Sequence, residues 1–197
     1  MTLPGGASTI PLAAFLAVHL LQRVSELVVS ARHARALLAR GGRESGRTHF
    51  PWIVALHALF PLALSAEVLL RPTRPGALAP LWFALWAAAQ LVRFASMRAL
   101  GERWTARVIV LPGVPAVRTG IYRWMRHPNY AAVAVELLAA PLMLGAWWTA
   151  VAFTLADAAA LAVRIRCEDA ALARAEALAP AIGASHQAAG GGSTRLR

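Results

Sequence analysis

Residues 118–136 read RTGIYRWMRHPNYAAVAVE. Arg118, Tyr122, Arg123, Trp124, Arg126, His127, Pro128, Asn129 and Tyr130 crowd together ahead of a run of Ala and Val that reaches Glu136. A chain whose remainder is largely Ala, Leu and Val does not need so dense a polar cluster to fold, so this is where function is sought. For the fold, the stretch marks a boundary. Pro128 is placed to start a helix, where its missing N–H costs no intrahelical bond. His127, preceding a proline, is biased away from helix. From Ala131 the sequence reads as the start of a membrane helix, with Glu136 left unexplained.

The 197 residues are 58% hydrophobic, well above the apolar share of an ordinary soluble domain. Several apolar runs approach the roughly 20 residues that cross a bilayer as helix. The expected fold class is therefore an all-α integral membrane protein with about five transmembrane helices, over residues 11–30, 50–70, 77–100, 129–145 and 146–163. Residues 1–179 are read as a single membrane-embedded domain and 180–197 as a flexible tail. No removable signal peptide is expected, because the first ten residues carry no basic segment. The lone cysteine, Cys167, excludes an intramolecular disulfide.

Along the chain, Pro11 suits the first turn of the first helix. Arg23 and Glu26 stand i,i+3 on one face and read as a structural ion pair near the membrane edge. Residues 31–49 read as a basic loop broken by Gly41, Gly42 and Gly46. In the second helix His57 reads as a packing histidine, since no second His or Cys sits at metal-like spacing nearby; no metal is expected. Glu67 lies in the same helix without an assigned role. Gln90 and Arg93 interrupt the third. The polar segment 101–128 is long for a connection, which often marks function. Gly145 divides the last two apolar stretches, with Trp147 and Trp148 suited to an interfacial belt. After them RIRCEDAALARAEALA (164–179) should continue as helix to about Ala179.

Net charge is +11, and all twenty basic residues are arginine. Their placement argues against a nucleic-acid partner. Five lie in 31–49, six in 98–128 and five in 164–197, against only Arg71 and Arg74 in the remaining connection. Sixteen against two predicts a cytoplasmic C-terminus and an N-terminus outside. The 118–130 and 164–169 clusters then share the cytoplasmic side.

A helix starting at Pro128 presents free N–H groups and a positive dipole end, which attracts a carboxylate or phosphate. Tyr122 and Tyr130 add aromatic faces for a cationic ligand. An interfacial anchor of Arg, Trp and Tyr explains the same residues equally well. Arg164 and Glu168 stand i,i+4, with Arg166 and Asp169 beside them, and also read as a solvated helix face.

The order of RTGIYRWMRHPNY, a short apolar hairpin and RIRCEDAAL resembles the isoprenylcysteine carboxyl methyltransferase family of membrane enzymes, over roughly residues 80–175. In that family a Gly-x-Tyr-x-x-x-Arg-His-Pro-x-Tyr motif is followed, after two membrane segments, by an Arg and a pair of acids. Gly120, Tyr122, Arg126, His127, Pro128 and Tyr130 match the first part; Arg164, Glu168 and Asp169 match the second. Ala131 and Ala132 stand where the family commonly has glycine, and Asp169 replaces a second Glu. The N-terminal part is similar to the bacterial branch, which implies the bacterial inner membrane.

The resemblance implies S-adenosylmethionine as methyl donor, held by Tyr122, Arg126, His127, Pro128, Tyr130, Glu168 and Asp169. It implies Arg164 or Arg166 as the catalytic group that steadies an anionic acceptor oxygen. The acceptor expected is a lipophilic, membrane-partitioned carboxylate, phenol or enol, with the lipid bilayer as the other partner. The alternatives are a membrane-embedded NADPH-dependent reductase of the sterol-reductase type and a non-catalytic membrane protein.

Overall fold

The computed structural model describes residues 6–178 except residue 72, with side chains described from residue 11. The tail expected at 180–197 lies outside the described residues. Five helices carry the architecture: α1 (Gly6–Ala39), α2 (Phe50–Leu70), α3 (Ala79–Leu100), α4 (Pro128–Met143) and α5 (Trp147–Ala177). Strands β1 (Arg43–Ser45) and β2 (Val108–Val110) form a short antiparallel ladder, with Glu44 opposite Ile109. Three stretches, Pro11–Ala39, Phe50–Leu70 and Trp147–Ala177, are long and apolar enough to cross a membrane. Helix α4 is apolar but only 16 residues long. The architecture is thus all-α apart from the short ladder, with three helices long and apolar enough to be membrane spans.

Its burial pattern is inverted relative to a soluble bundle. Leu21, Val24, Leu62, Leu69, Leu91, Phe94, Leu155 and Val163 are exposed, as side chains facing lipid tails would be. Buried polar groups lie inside instead: His19, Glu26, Glu67, Gln90, Arg93, Glu136, Asp157 and Arg164. In a bilayer such groups must face the bundle interior and find partners there. Glu136 of α4 meets Arg93 of α3, Arg23 of α1 at 3.2 Å and His19 of α1 at 3.3 Å. Glu26 pairs with Arg23 at 3.1 Å, as its spacing suggested, and with Arg93 at 3.5 Å. This network binds three helices and accounts for Glu136. Beside it, Phe15, Phe60, Leu64, Leu137 and Leu144 form the apolar core, and the His19 ring packs against Phe15 and Phe60.

Two features differ from the sequence expectation. Helix α1 begins at Gly6, so Pro11 lies inside it, and it continues to Ala39 instead of giving way to a loop at residue 31. ARHARALLA is rich in good helix formers, and termination waits for Gly41, at φ 82°. The β1–β2 ladder was not anticipated. As expected for 164–179, the helix does continue past the apolar stretch: α5 runs uninterrupted from Trp147 to Ala177.

The N-cap residue before α5 is Ala146, which offers no capping side chain. Glu67 of α2 supplies the cap from across the bundle. Its carboxylate accepts bonds from the Trp148 N–H (3.1 Å), the Thr149 N–H (2.6 Å) and the Thr149 hydroxyl (2.6 Å). That places a negative charge on the positive end of the helix dipole. Gly145, at φ 77°, lets the α4–α5 turn pass the backbone of Arg74, whose carbonyl oxygen would sit 2.3 Å from any Cβ. Replacing Glu67 by Leu leaves buried amide donors unpaired, at about 1–3 kcal/mol. The detergent-solubilised variant should melt several degrees below wild type, and an unchanged melting temperature would show that the cap contributes little.

Candidate functional site

The long segment between α3 and α4 is a tethered strap under one end of the bundle. The Ala106 N–H donates to the Ser30 hydroxyl at 2.8 Å, and the Trp104 carbonyl lies 2.8 Å from His33 Nδ1, both on α1. The Gly113 N–H donates to the Ala175 carbonyl at 3.0 Å, and the Ala116 N–H to Glu176 at 3.2 Å, both on α5. The β1–β2 ladder ties the middle of the strap to the chain beyond α1. A 3-10 turn, Gly120–Arg123, ends it, with Gly120 (φ 59°) packed so close to α3 that a Cβ would lie 3.2 Å from Ala99.

Beyond that turn, Pro128 opens α4 and is buried. Tyr130, one turn in, is the centre of the cluster. Its hydroxyl donates to Glu168 and accepts from Arg164 Nε at 2.8 Å. The Arg164 guanidinium lies over the Tyr130 ring, 5.3 Å from the centroid, and donates to the Ala106 carbonyl at 2.6 Å. Arg164 is almost fully buried; these contacts, with the Glu168 charge beyond the tyrosine, offset its desolvation. The His127 ring stacks on Tyr130, with centroids 5.4 Å apart, and His127 Nε2 stands 3.2 Å from Asp169. Arg126 reaches the same Asp169 oxygen at 3.3 Å, from an exposed position. Burial, reinforced by the Glu168 charge, raises the Tyr122 phenol above its ordinary value, so it remains a neutral donor within reach of Ser96.

Two cavities adjoin this cluster. The smaller, about 130 Å³, lies between the strap and the α4 and α5 ends, lined by Tyr122, Arg126, His127, Tyr130, Arg164 and Glu168. The larger, about 480 Å³, lies among the helices and runs from Tyr130 and Arg164 past Val133 and Leu161 to His19, Arg93 and Asp157. Trp104, Thr105, Asn129, Tyr130 and Arg164 line both, so they form a shared wall. Two atoms of that wall, the Trp104 indole N–H and the Asn129 carbonyl oxygen, are buried with no hydrogen-bond partner among the described residues. One can donate and the other accept.

The structure thus brings Tyr122, Arg126, His127, Pro128, Tyr130, Arg164, Glu168 and Asp169 to one end of the bundle. Arg166 does not join them. Two residues beyond Arg164, it falls on the far face of α5, is exposed and lines neither cavity. His57 Nδ1 donates to the Ile53 carbonyl oxygen at 2.8 Å, and the residue also borders the larger cavity. Sequence reasoning gave no role to Trp104, Asn129 or Asp157. Asp157 carried a signal, as a lone acid in the middle of an apolar span.

A model of the isoprenylcysteine carboxyl methyltransferase (ICMT) family matches residues 82–174, which include α4, most of α5 and the strap. The chain is 39% identical over 160 residues to a Bacillus subtilis (strain 168) protein described as "Uncharacterized protein YpbQ", covering 80% of this chain and 94% of that one. It is 28% identical over 151 residues to an uncharacterized Haemophilus influenzae protein, covering 76% and 88%. No solved structure matches significantly. The fold is a helical bundle with three candidate membrane spans, and the chain belongs to the isoprenylcysteine carboxyl methyltransferase family.

Tyr130→Phe removes from one atom both a donor to Glu168 and an acceptor for buried Arg164. A loss of about 1–3 kcal/mol is expected, read as a lower unfolding midpoint in detergent. A wild-type midpoint would show that the hydroxyl does not hold Arg164.

Proposed function

We propose that the protein is an S-adenosylmethionine-dependent methyltransferase that methylates an oxygen of a lipophilic, membrane-partitioned acceptor: a carboxylate, phenol or enol. The observation that carries this reading is the shared wall. A polar cleft at one end of the bundle and an apolar cavity among its helices meet at Asn129, Tyr130 and Arg164. A water-soluble donor and a lipid-soluble acceptor need such an arrangement. In this reading all five helices span the bilayer, with the N-terminus outside and the cleft and C-terminus on the cytoplasmic side of a bacterial inner membrane. Residues 1–179 act as one domain.

The donor set suits the cofactor. Its ammonium and ribose hydroxyls call for acceptors, which Glu168, Asp169 and the Asn129 carbonyl oxygen supply. Its carboxylate calls for a cation and N–H donors, which Arg126, a ring N–H of His127 and the α4 N-terminus supply. The cleft is smaller than the ~300–1,000 Å³ that encloses a whole drug-sized ligand, so part of the cofactor would stand at the open rim beside Arg126. The bound cofactor supplies an electrophilic methyl group. The protein's task is then positioning. Arg164, fixed by Tyr130 and Ala106, holds the anionic acceptor oxygen at the wall, while Trp104 and the strap keep water out. Arg164 is the catalytic group in this account, and Arg166 has no part in it.

Calorimetry in detergent should detect binding of S-adenosylmethionine and of its demethylated product. His127→Ala and Glu168→Ala should each weaken binding by at least tenfold, about 1.4 kcal/mol, while each variant stays folded. The reading fails if neither ligand binds while NADPH does, and these residues leave the site if both variants bind as wild type does.

A further inference from the structure

The larger cavity has a second polar end that methyl transfer does not use. Asp157, Leu161 and Arg164 stand i, i+4 and i+7 on α5 and all line it, so Asp157 lies about 10 Å of helix rise from Arg164. Asp157 and His19 are each only 2% exposed. Asp157 Oδ2 and His19 Nε2 have no hydrogen-bond partner among the described residues. The neighbouring charges are already matched, since Arg23 and Arg93 pair with Glu26 and Glu136. His19 Nδ1 faces Glu136 at 3.3 Å. A proton held there makes Nε2 an acceptor. Both unmatched atoms, one on α1 and one on α5, therefore lack a donor.

A hydrocarbon chain filling this end would leave both acceptors buried and unpaired, while the single proton of a hydroxyl would satisfy one of them. Sites built on buried polar groups discriminate sharply against ligands that lack the matching group. A second carboxylate is disfavoured, because Asp157 would face it with no unpaired cation nearby. The opposite flank is apolar: Leu20, Val24, Leu27, Val54 and Leu62 border the cavity from α1 and α2 and are exposed toward the bilayer. That flank lets an amphiphile enter sideways.

Resting on the methyltransferase reading, we infer that Asp157 and His19 form a second recognition site for an uncharged hydroxyl on the lipid acceptor, set roughly 10 Å from the methylated oxygen. The acceptor is then a doubly oxygenated amphiphile, with an acidic oxygen at the shared wall and a hydroxyl deeper in the membrane. Asp157 and His19 are specificity residues and take no part in bond making.

The test measures binding of radiolabelled palmitate and of a series of monohydroxy palmitates, with the hydroxyl walked along the chain, to the full chain in lipid nanodiscs. One hydroxyl position should bind at least tenfold tighter than palmitate. Asp157→Leu should bring the two to parity while leaving S-adenosylmethionine affinity unchanged. Asp157→Asn and His19→Gln, which keep an acceptor and guard against misfolding of the leucine variant, should retain part of the preference. A flat series in wild type, as expected if water fills this end, overturns the inference, as does a preference that survives Asp157→Leu. Cofactor binding separates the two claims. If the cofactor binds and the series is flat, only this inference falls; if the series shows the preference and no cofactor binds, the methyltransferase reading falls.

Discussion

The contact between Arg93 and Glu136 is the constraint on which the rest of the bundle depends. Glu136 is the only charge on α4 and Arg93 lies in the apolar body of α3, and neither can face lipid tails at acceptable cost. Their pairing, with Arg23, Glu26 and His19 around them, fixes which faces of α1, α3 and α4 turn inward. Removing one partner would leave a buried charge uncompensated, at about 3–5 kcal/mol. With Glu136 turned inward, Asn129 and Val133 on α4 must turn inward too, at i−7 and i−3. The rotation that satisfies the ion pair thereby also brings the polar start of α4 to the strap and to α5.

Helix α5 carries the same logic along a single stripe. Asp157, Arg164, Ala171 and Ala175 are buried, and Glu168 lies between them at the Tyr130 hydroxyl. The lower half of that stripe lines the apolar cavity; the upper half closes the cleft. Glu67, capping α5 from α2, holds the stripe at its depth.

Much of this was legible in the sequence, because the signals were local. Apolar runs gave the helices, and the breakers at Gly41, Gly42 and Gly145 fell at turns. Charge balance and motif spacing drew Arg118–Tyr130 and Arg164–Asp169 toward one site, and in the structure Tyr130, His127 and Arg126 touch Glu168, Arg164 and Asp169. What escaped depends on contacts across the chain. Glu67 could not be known as a cap without α5 beside it. Strands of three residues are too short to show alternation, so the β1–β2 ladder left no trace. The helical end of α1 was hidden because its arginines resemble a loop while its backbone favours helix. Asp157 was averaged away among alanines. Arg166 resembled Arg164 in sequence, and only the half-turn of helix between them puts Arg164 on the cavities and Arg166 on the far face.

In the proposed methyltransferase a polar cleft and a membrane cavity share one wall so that a methyl group can pass between them. The direct measurement is transfer of label from S-adenosylmethionine carrying a radioactive methyl group to a panel of long-chain carboxylates, phenols and enols. It would be made with the purified protein in nanodiscs, wild type beside Arg164→Ala. The account predicts label in the organic phase on an oxygen of at least one acceptor, lost by at least a hundredfold in the variant. Absence of transfer to every acceptor class by a wild-type protein that binds the cofactor would contradict it, as would full activity in Arg164→Ala.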